Sequence, residues 1–249
     1  MFQEPGKTNY DLNFSVMDVP VRVHPMFWLI VLIFSMQGKG SSFFTVLLTH
    51  GFAIFISVLA HELGHALVGR MFGSRGVHVV LHGFGGVAIG AHGRTKLENV
   101  QVIAAGPFMG FLLSLPFAIT MVKTLYGQLF VQRYLPFLSN YVHDFVNATG
   151  GTTYLGNGYL YHFVLSMLWV NVIWGILNLV PIYPLDGGQI CSELISRNNI
   201  FGPNPLVHKI SIGVAVAISV FFLSSGQVYA TFLFGYLGYI NYKMLQMRR

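Results

Sequence analysis

Polar residues fall mainly between six apolar stretches of this chain, and each stretch predicts a helix in a lipid environment. The first, residues 25–36, is entered through the alternating run Val21-Arg22-Val23-His24, which predicts a short interfacial strand before Pro25 opens the helix. A full crossing takes about 20 apolar residues, so this stretch must recruit its flanks or tilt among neighbours. The others span residues 43 to about 73, 100–122, 159–179, 210–223 and 227–242. Between the second and third, residues 76–93 alternate glycines with β-branched residues and predict a strand, a glycine turn and a second strand. Non-helical backbone survives at membrane depth only where it is buried in protein or lines water, so this hairpin should pack against the helix that precedes it. Residues 123–158, with Asn140, Asp144, Asn147 and Thr149-Gly150-Gly151-Thr152, read as a loop too short for an independent domain. No internal repeat stands out.

Composition agrees with this pattern. Of 249 residues 54% are hydrophobic and 9% charged, against roughly 25% charged in a soluble domain. The expected fold is an all-α polytopic membrane protein, with about six transmembrane helices and an inserted membrane-associated β-hairpin. It forms a single domain over residues 1–249, with a core at about 43–195 and peripheral helices at about 25–38 and 207–245. No basic start followed by an apolar run and a small-residue cleavage site is visible, so no removable signal peptide is expected. The lone Cys191 can form no internal disulfide.

The net charge of +6 raises nucleic acid as a partner, but the placement of the basic residues answers it. With six spans, the termini and the loops after segments two and four share one side. That side holds Lys7, Arg22, Arg70, Arg75, Arg94, Lys96, Arg197, Lys209, Lys243, Arg248 and Arg249, leaving Lys39, Lys123 and Arg133 opposite. An excess of this kind marks the cytoplasmic face, so both termini and the end of segment two are expected in the cytoplasm of a bacterial-type cell. Nucleic acid is not an expected partner.

The chemistry sits near the end of segment two, in His61-Glu62-Leu63-Gly64-His65. Helical residues four apart share a face, so His61 and His65 can bind one metal ion while Glu62 reaches its bound water. A carboxylate at bilayer depth costs about 2.5–3.5 kcal/mol on insertion scales, which favours a functional reason for Glu62. Catalytic zinc usually has three protein ligands. Only Asn178-Leu179-Val180-Pro181-Ile182-Tyr183-Pro184-Leu185-Asp186-Gly187-Gly188 brings another acid to the end of an apolar span at the same depth. Asp186 is therefore the candidate third ligand, and it can also cap a short helix over residues 187–195.

These motifs resemble the site-2 proteases, the intramembrane zinc metalloproteases. The resemblance covers most of the chain from His24 to Cys191: the pentad, Leu185-Asp186-Gly187 with Asn178 and the paired prolines upstream, the Gly85-Gly86 hairpin, and Ala105-Gly106-Pro107. It implies one Zn2+ per chain on His61, His65 and Asp186, and Glu62 as catalytic acid and base. The implied substrate is a transmembrane helix of a membrane protein, cut within or near the bilayer. Some members carry a peptide-binding domain where this chain has residues 123–158, and others nucleotide-sensing repeats after the last span. Neither is expected here, which leaves room for a separate regulatory membrane partner.

Further residues have open assignments. Asn178 can donate to a developing oxyanion, hold the substrate backbone, or bond Asn171 or the hairpin. Gly85 and Gly86 belong to a hairpin whose edge can take an unwound substrate as an added strand. His78, His82 and His92 are expected in surface or hydrogen-bonding roles. His50 lies about 16 Å along the same helix face as His61 and can line a polar path or make an interhelical bond. The rival readings are a zinc hydrolase acting on another substrate class in the membrane, and a noncatalytic zinc-binding scaffold; Glu62 argues against the second, because metal binding does not need it.

Overall fold

Alternation builds the N-terminal strands. In β2 (Val19–Val23) the valines at 19, 21 and 23 are buried, and β1 (Leu12–Val16) pairs with it antiparallel, Val16 opposite Val19. Only Met17 and Asp18 lie between, both at positive φ (49° and 60°), the backbone of a two-residue hairpin turn. Arg70, from the last turn of α2, donates to the Met17 carbonyl at 3.0 Å and pins this turn. The structure, a computed structural model, describes residues 5–35, 43–83, 85–153, 158–195 and 204–247.

After β2 come α1 (Pro25–Ser35) and α2 (Phe43–Met71). The chain then returns to the same sheet as β3 (His78–His82) and β4 (Gly85–Ile89), in the order β1-β2-β3-β4. The expected hairpin is thus half of a mixed four-stranded sheet, because β2 pairs with β3 in parallel. β1 escaped the sequence reading although Leu12-Asn13-Phe14-Ser15-Val16 alternates, because the run is five residues long and sits in the mixed polar N-terminal stretch; its side chains are mostly exposed. One face of the sheet packs through Val19, Val21, Val79 and Leu81 against Phe27 and Val31 of α1 and Val58, Leu63 and Ala66 of α2.

Pairing fixes which way the edge strand β4 faces. His24 donates to the Leu81 carbonyl at 2.8 Å, so the backbone of Leu81 turns towards β2. Alternate residues of a strand point their backbone groups to opposite sides, so Val80 and His82 serve β4. Their partners Val87 and Gly85 carry the ladder, and Gly86 and Ala88 point their backbone groups away from the sheet.

The remaining helices are α3 (Lys96–Val122), α4 (Leu125–Tyr134), α5 (Ser139–Ala148), α6 (Tyr159–Asn178), α7 (Asp186–Ile195), α8 (Pro205–Ser224) and α9 (Val228–Gln246). α3 begins with a capping box between Thr95 and Glu98. Residues 123–158 are not the expected open loop. Thr124 caps α4 by accepting from the Gly127 amide at 3.1 Å, a 3-10 turn at Pro136–Leu138 leads into α5, and Lys123 closes the excursion on the Thr149 carbonyl at 2.8 Å. Scattered Asn and Gly made this stretch read as punctuation, although it holds two short helices, the first capped by Thr124.

Among the described residues four helices are long and apolar enough to cross a bilayer: Leu47–Met71 of α2, α3, α6 and α8. α1 has 11 residues. In α9, four tyrosines, Asn241, Lys243 and Gln246 lower the hydropathy.

Candidate functional site

The pentad occupies the last three turns of α2, where the helical repeat alone puts His61 and His65 side by side. Their Nε2 atoms lie 3.2 Å apart. The turn into α7 brings Asp186 against both, with Oδ2 3.1 Å from His61 Nε2 and Oδ1 3.6 Å from His65 Nε2. All three residues are buried. Among the described residues these are the His, Cys, Asp or Glu side chains that converge closely enough to hold a metal ion, their ligand atoms lying within 4.8 Å of one another.

The geometry fits zinc. Ligand atoms at about 2.0–2.1 Å from a tetrahedral ion stand about 3.3–3.4 Å from each other, close to the spacings here. His65 Nδ1 lies 2.8 Å from the Val102 carbonyl. That oxygen can only accept, so Nδ1 carries the proton and Nε2 turns its lone pair to the cluster. Asp186 Oδ2, although buried, has no hydrogen bond. A buried carboxylate oxygen without a donor is costly in an all-protein site and natural beside a cation.

Two neighbouring elements approach so closely that only glycine fits. On α3, a Cβ at Gly106 would strike Nε2 of both His65 and His61. On β4, a Cβ at Gly86 would strike the Glu62 side chain. Glu62 is buried between the histidines and β4, and the outward-facing amide of Ala88 donates to its carboxylate. The edge strand therefore holds the acid that the helix supplies.

Asn178 closes α6 half-buried, and among the described residues it bonds neither Asn171 nor the hairpin. Asn171 instead donates to Ser57 of α2 and to the Met167 carbonyl, each at 2.8 Å. Gly85 opens β4 beside Trp174 of α6. The other histidines stand apart from the cluster. His50 lies 3.1 Å from Ser166 Oγ on α6, His78 bonds the Gly76 carbonyl, and His92 bonds the Gly90 carbonyl and Ser74. Burial at the end of β3 pushes His82 below its usual value, with His24 and Arg22 acting the same way.

Sequence reasoning missed the Val102 carbonyl and the Ala88 amide, because backbone groups leave no residue signature. It quoted Gly106 only as part of a motif, without its steric role.

Residues 50–224 match the family model of Peptidase family M50. The chain is 29% identical over 192 residues to zinc metalloprotease MJ0392 of Methanocaldococcus jannaschii, covering 76% of this chain and 47% of that protein. It is 29% identical over 180 residues to stage IV sporulation protein FB of Bacillus subtilis, covering 71% of this chain and 48% of that protein. The chain spans about half the length of these curated relatives. Its fold is similar to that of the site-2 protease from Methanocaldococcus jannaschii, with a TM-score of 0.54, 94% of both chains covered and 24% identity. The family match takes in both histidines, Glu62 and Asp186 and reaches the end of α8: this chain belongs to Peptidase family M50.

Proposed function

We propose that this protein is an intramembrane zinc metalloprotease, hydrolysing peptide bonds within or near the transmembrane helices of membrane-protein substrates. The observation that carries this reading is the buried His61, His65 and Asp186 cluster with an orphaned carboxylate oxygen, set beside Glu62 near the end of a membrane-length helix. His61, His65 and Asp186 would hold the zinc ion, which would lower the pKa of a bound water to about 7 and polarise the scissile carbonyl. Glu62 takes the proton of the attacking water and returns it to the leaving amine. The Ala88 amide keeps the Glu62 carboxylate turned to the site. Asn178 donates to the oxyanion or to the substrate backbone.

A helical substrate hides its peptide bonds and must unwind first. The outward row of β4, from Gly86 to the Ala88 carbonyl, takes the unwound segment as an added strand, while Gly85 opens that row. Residues that weaken a helix, such as glycine, proline or asparagine, lower the cost of unwinding in the substrate.

Six spans, counting α1 and α9, put both termini and the zinc end of α2 in the cytoplasm, in keeping with the basic-residue asymmetry. The parallel pairing of β2 with β3 supports this layout, because the chain that leaves the sheet as α1 comes back to it after α2. Residues at about 43–195 form the catalytic core of a single domain.

The test is comparative membrane proteomics of cells carrying the wild-type protein or Glu62→Gln, with zinc measured on both purified proteins. A single-span protein should accumulate in the variant, while zinc stays at about one per chain, as a three-ligand site implies. Equal cleavage by the two proteins removes Glu62 from the mechanism.

A further inference from the structure

Asp186 does not sit on a long helix. It opens α7 after a segment, residues 179–185, that contains Pro181 and Pro184: Leu179 caps α6, the amides of Val180, Ile182 and Leu185 bond the carbonyls of Leu177, Val180 and Ile182, and the Pro184 carbonyl accepts from Gln189 Nε2 at 3.0 Å. Tyr183 lies in the middle of this segment, three residues before the ligand. Its amide donates to Ser211 Oγ at 2.9 Å, and its carbonyl accepts from Asn241 Nδ2. The first partner comes from α8 and the second from α9.

Both partners are themselves oriented. Ser211 spends its proton on the Val207 carbonyl at 2.8 Å, which leaves a lone pair for the Tyr183 amide. Asn241 has its oxygen 2.9 Å from His208 Nδ1 and a second donation to the Leu237 carbonyl at 2.9 Å, so its NH2 group must face Tyr183. The His208 ring also meets the Tyr183 ring edge to face at 5.7 Å between centroids. His208, Ser211 and Asn241 are 1%, 0% and 0% exposed. Three buried polar side chains from two apolar helices thus converge on one residue of the ligand segment.

We propose that Ser211 and Asn241 are positioning residues, which fix Asp186 at the metal by clamping both backbone groups of Tyr183, with His208 orienting Asn241. The inference rests on the zinc reading of the site. A carboxylate ligand must be held within about 0.5 Å to keep its ion. The prolines deny residues 179–185 a helical ladder to do this, so the α8–α9 pair does it. The consequence is a mechanical link: a shift of α8 against α9 reaches Asp186 through Tyr183 without passing through α2.

The experiment measures zinc release from purified zinc-loaded protein into excess chromogenic chelator. Ser211→Ala removes one jaw of the clamp, and Asn241→Asp removes the donors of the other at nearly constant volume. Ser219→Ala is the control, because Ser219 bonds the Thr231 carbonyl at 2.8 Å and ties α8 to α9 without touching the ligand segment. Groups that orient metal ligands are typically worth about 10- to 100-fold in metal affinity. Ser211→Ala and Asn241→Asp should therefore release zinc about tenfold faster or more, with Ser219→Ala at the wild-type rate and Ser211→Thr, which keeps the hydroxyl, restoring slow release. If Asn241→Asp does not fold, the Ser211 pair decides alone. Release within about twofold of wild type in Ser211→Ala, or equal acceleration in Ser219→Ala, overturns the clamp while leaving the zinc site standing. A wild-type protein without zinc overturns the site itself.

Discussion

α2 and the segment before α7 meet at one point and are built in opposite ways. In α2 the spacing of His61, Glu62 and His65 is set by the helical repeat, so three site residues are aligned by bonds that lie within a few residues of each other. Asp186 follows two prolines, and its place depends on Ser211 and Asn241, which the chain supplies much later. One half of the site is a local product and the other a tertiary one. The contrast locates the vulnerable side: loosening of the helix packing costs the carboxylate first and the histidine pair last.

Removing a ligand from either half is the largest break. His65→Ala and Asp186→Ala should each purify with little zinc by metal analysis, and full zinc in Asp186→Ala would leave α2 as the whole metal site. Next come the two glycines that press on the site. Gly106→Ala drives a methyl group into the imidazole nitrogens and should lower zinc content. Gly86→Ala drives one into Glu62 and should leave zinc in place while cleavage falls, by up to the roughly 10² to 10⁴ that general acid-base catalysis is worth. If both variants lose zinc equally, metal and acid are not separately supported. A smaller effect is expected at Asn171, whose bond to Ser57 joins α6 to α2. Interhelical bonds in membranes average about 0.6 kcal/mol, with a maximum near 1.7, so Asn171→Leu should shift unfolding in detergent by no more than that. The smallest concerns the N-terminal strands, remote from both halves. The hydrogen bond from Thr8, with those from Arg22 behind it, holds Asp11 at about 2. A depressed carboxylate stabilises above its unfolded value and ceases to as pH falls through its folded one. Between about pH 4 and pH 2 the β1–β2 hairpin should lose amide-exchange protection, and Asp11→Asn should lack that step.

The same contrast explains what could be read from the sequence. The membrane-length helices and the pentad were legible because their signals are local: apolar runs, a spacing of four, an acid where acids are costly. Asp186 was legible by a coarser argument, as the acid that returns to that depth. The pairing of β2 with β3 was not, since nothing in Val19–Val23 names a partner that lies beyond two helices. Ser211 and Asn241 did interrupt apolar stretches, but an isolated polar residue in a membrane helix does not say which backbone it will reach. Residues 123–158 misled in the other direction, their Asn and Gly content masking the cap at Thr124 and the two short helices that follow.

The parallel pair of strands also sets an order of events during synthesis. β2 leaves the ribosome before α1 and α2, and β3 follows them, so Val19, Val21 and Val23 stay without their inner partner strand until both helices have been delivered. The antiparallel turn with β1 can close at once and guard one edge of β2 in the meantime. Completion of the sheet therefore waits for both intervening helices. A chain whose α1 and α2 do not lead β3 back to β2 leaves β3 without its parallel partner, and β4 with no stable neighbour from which to reach Glu62.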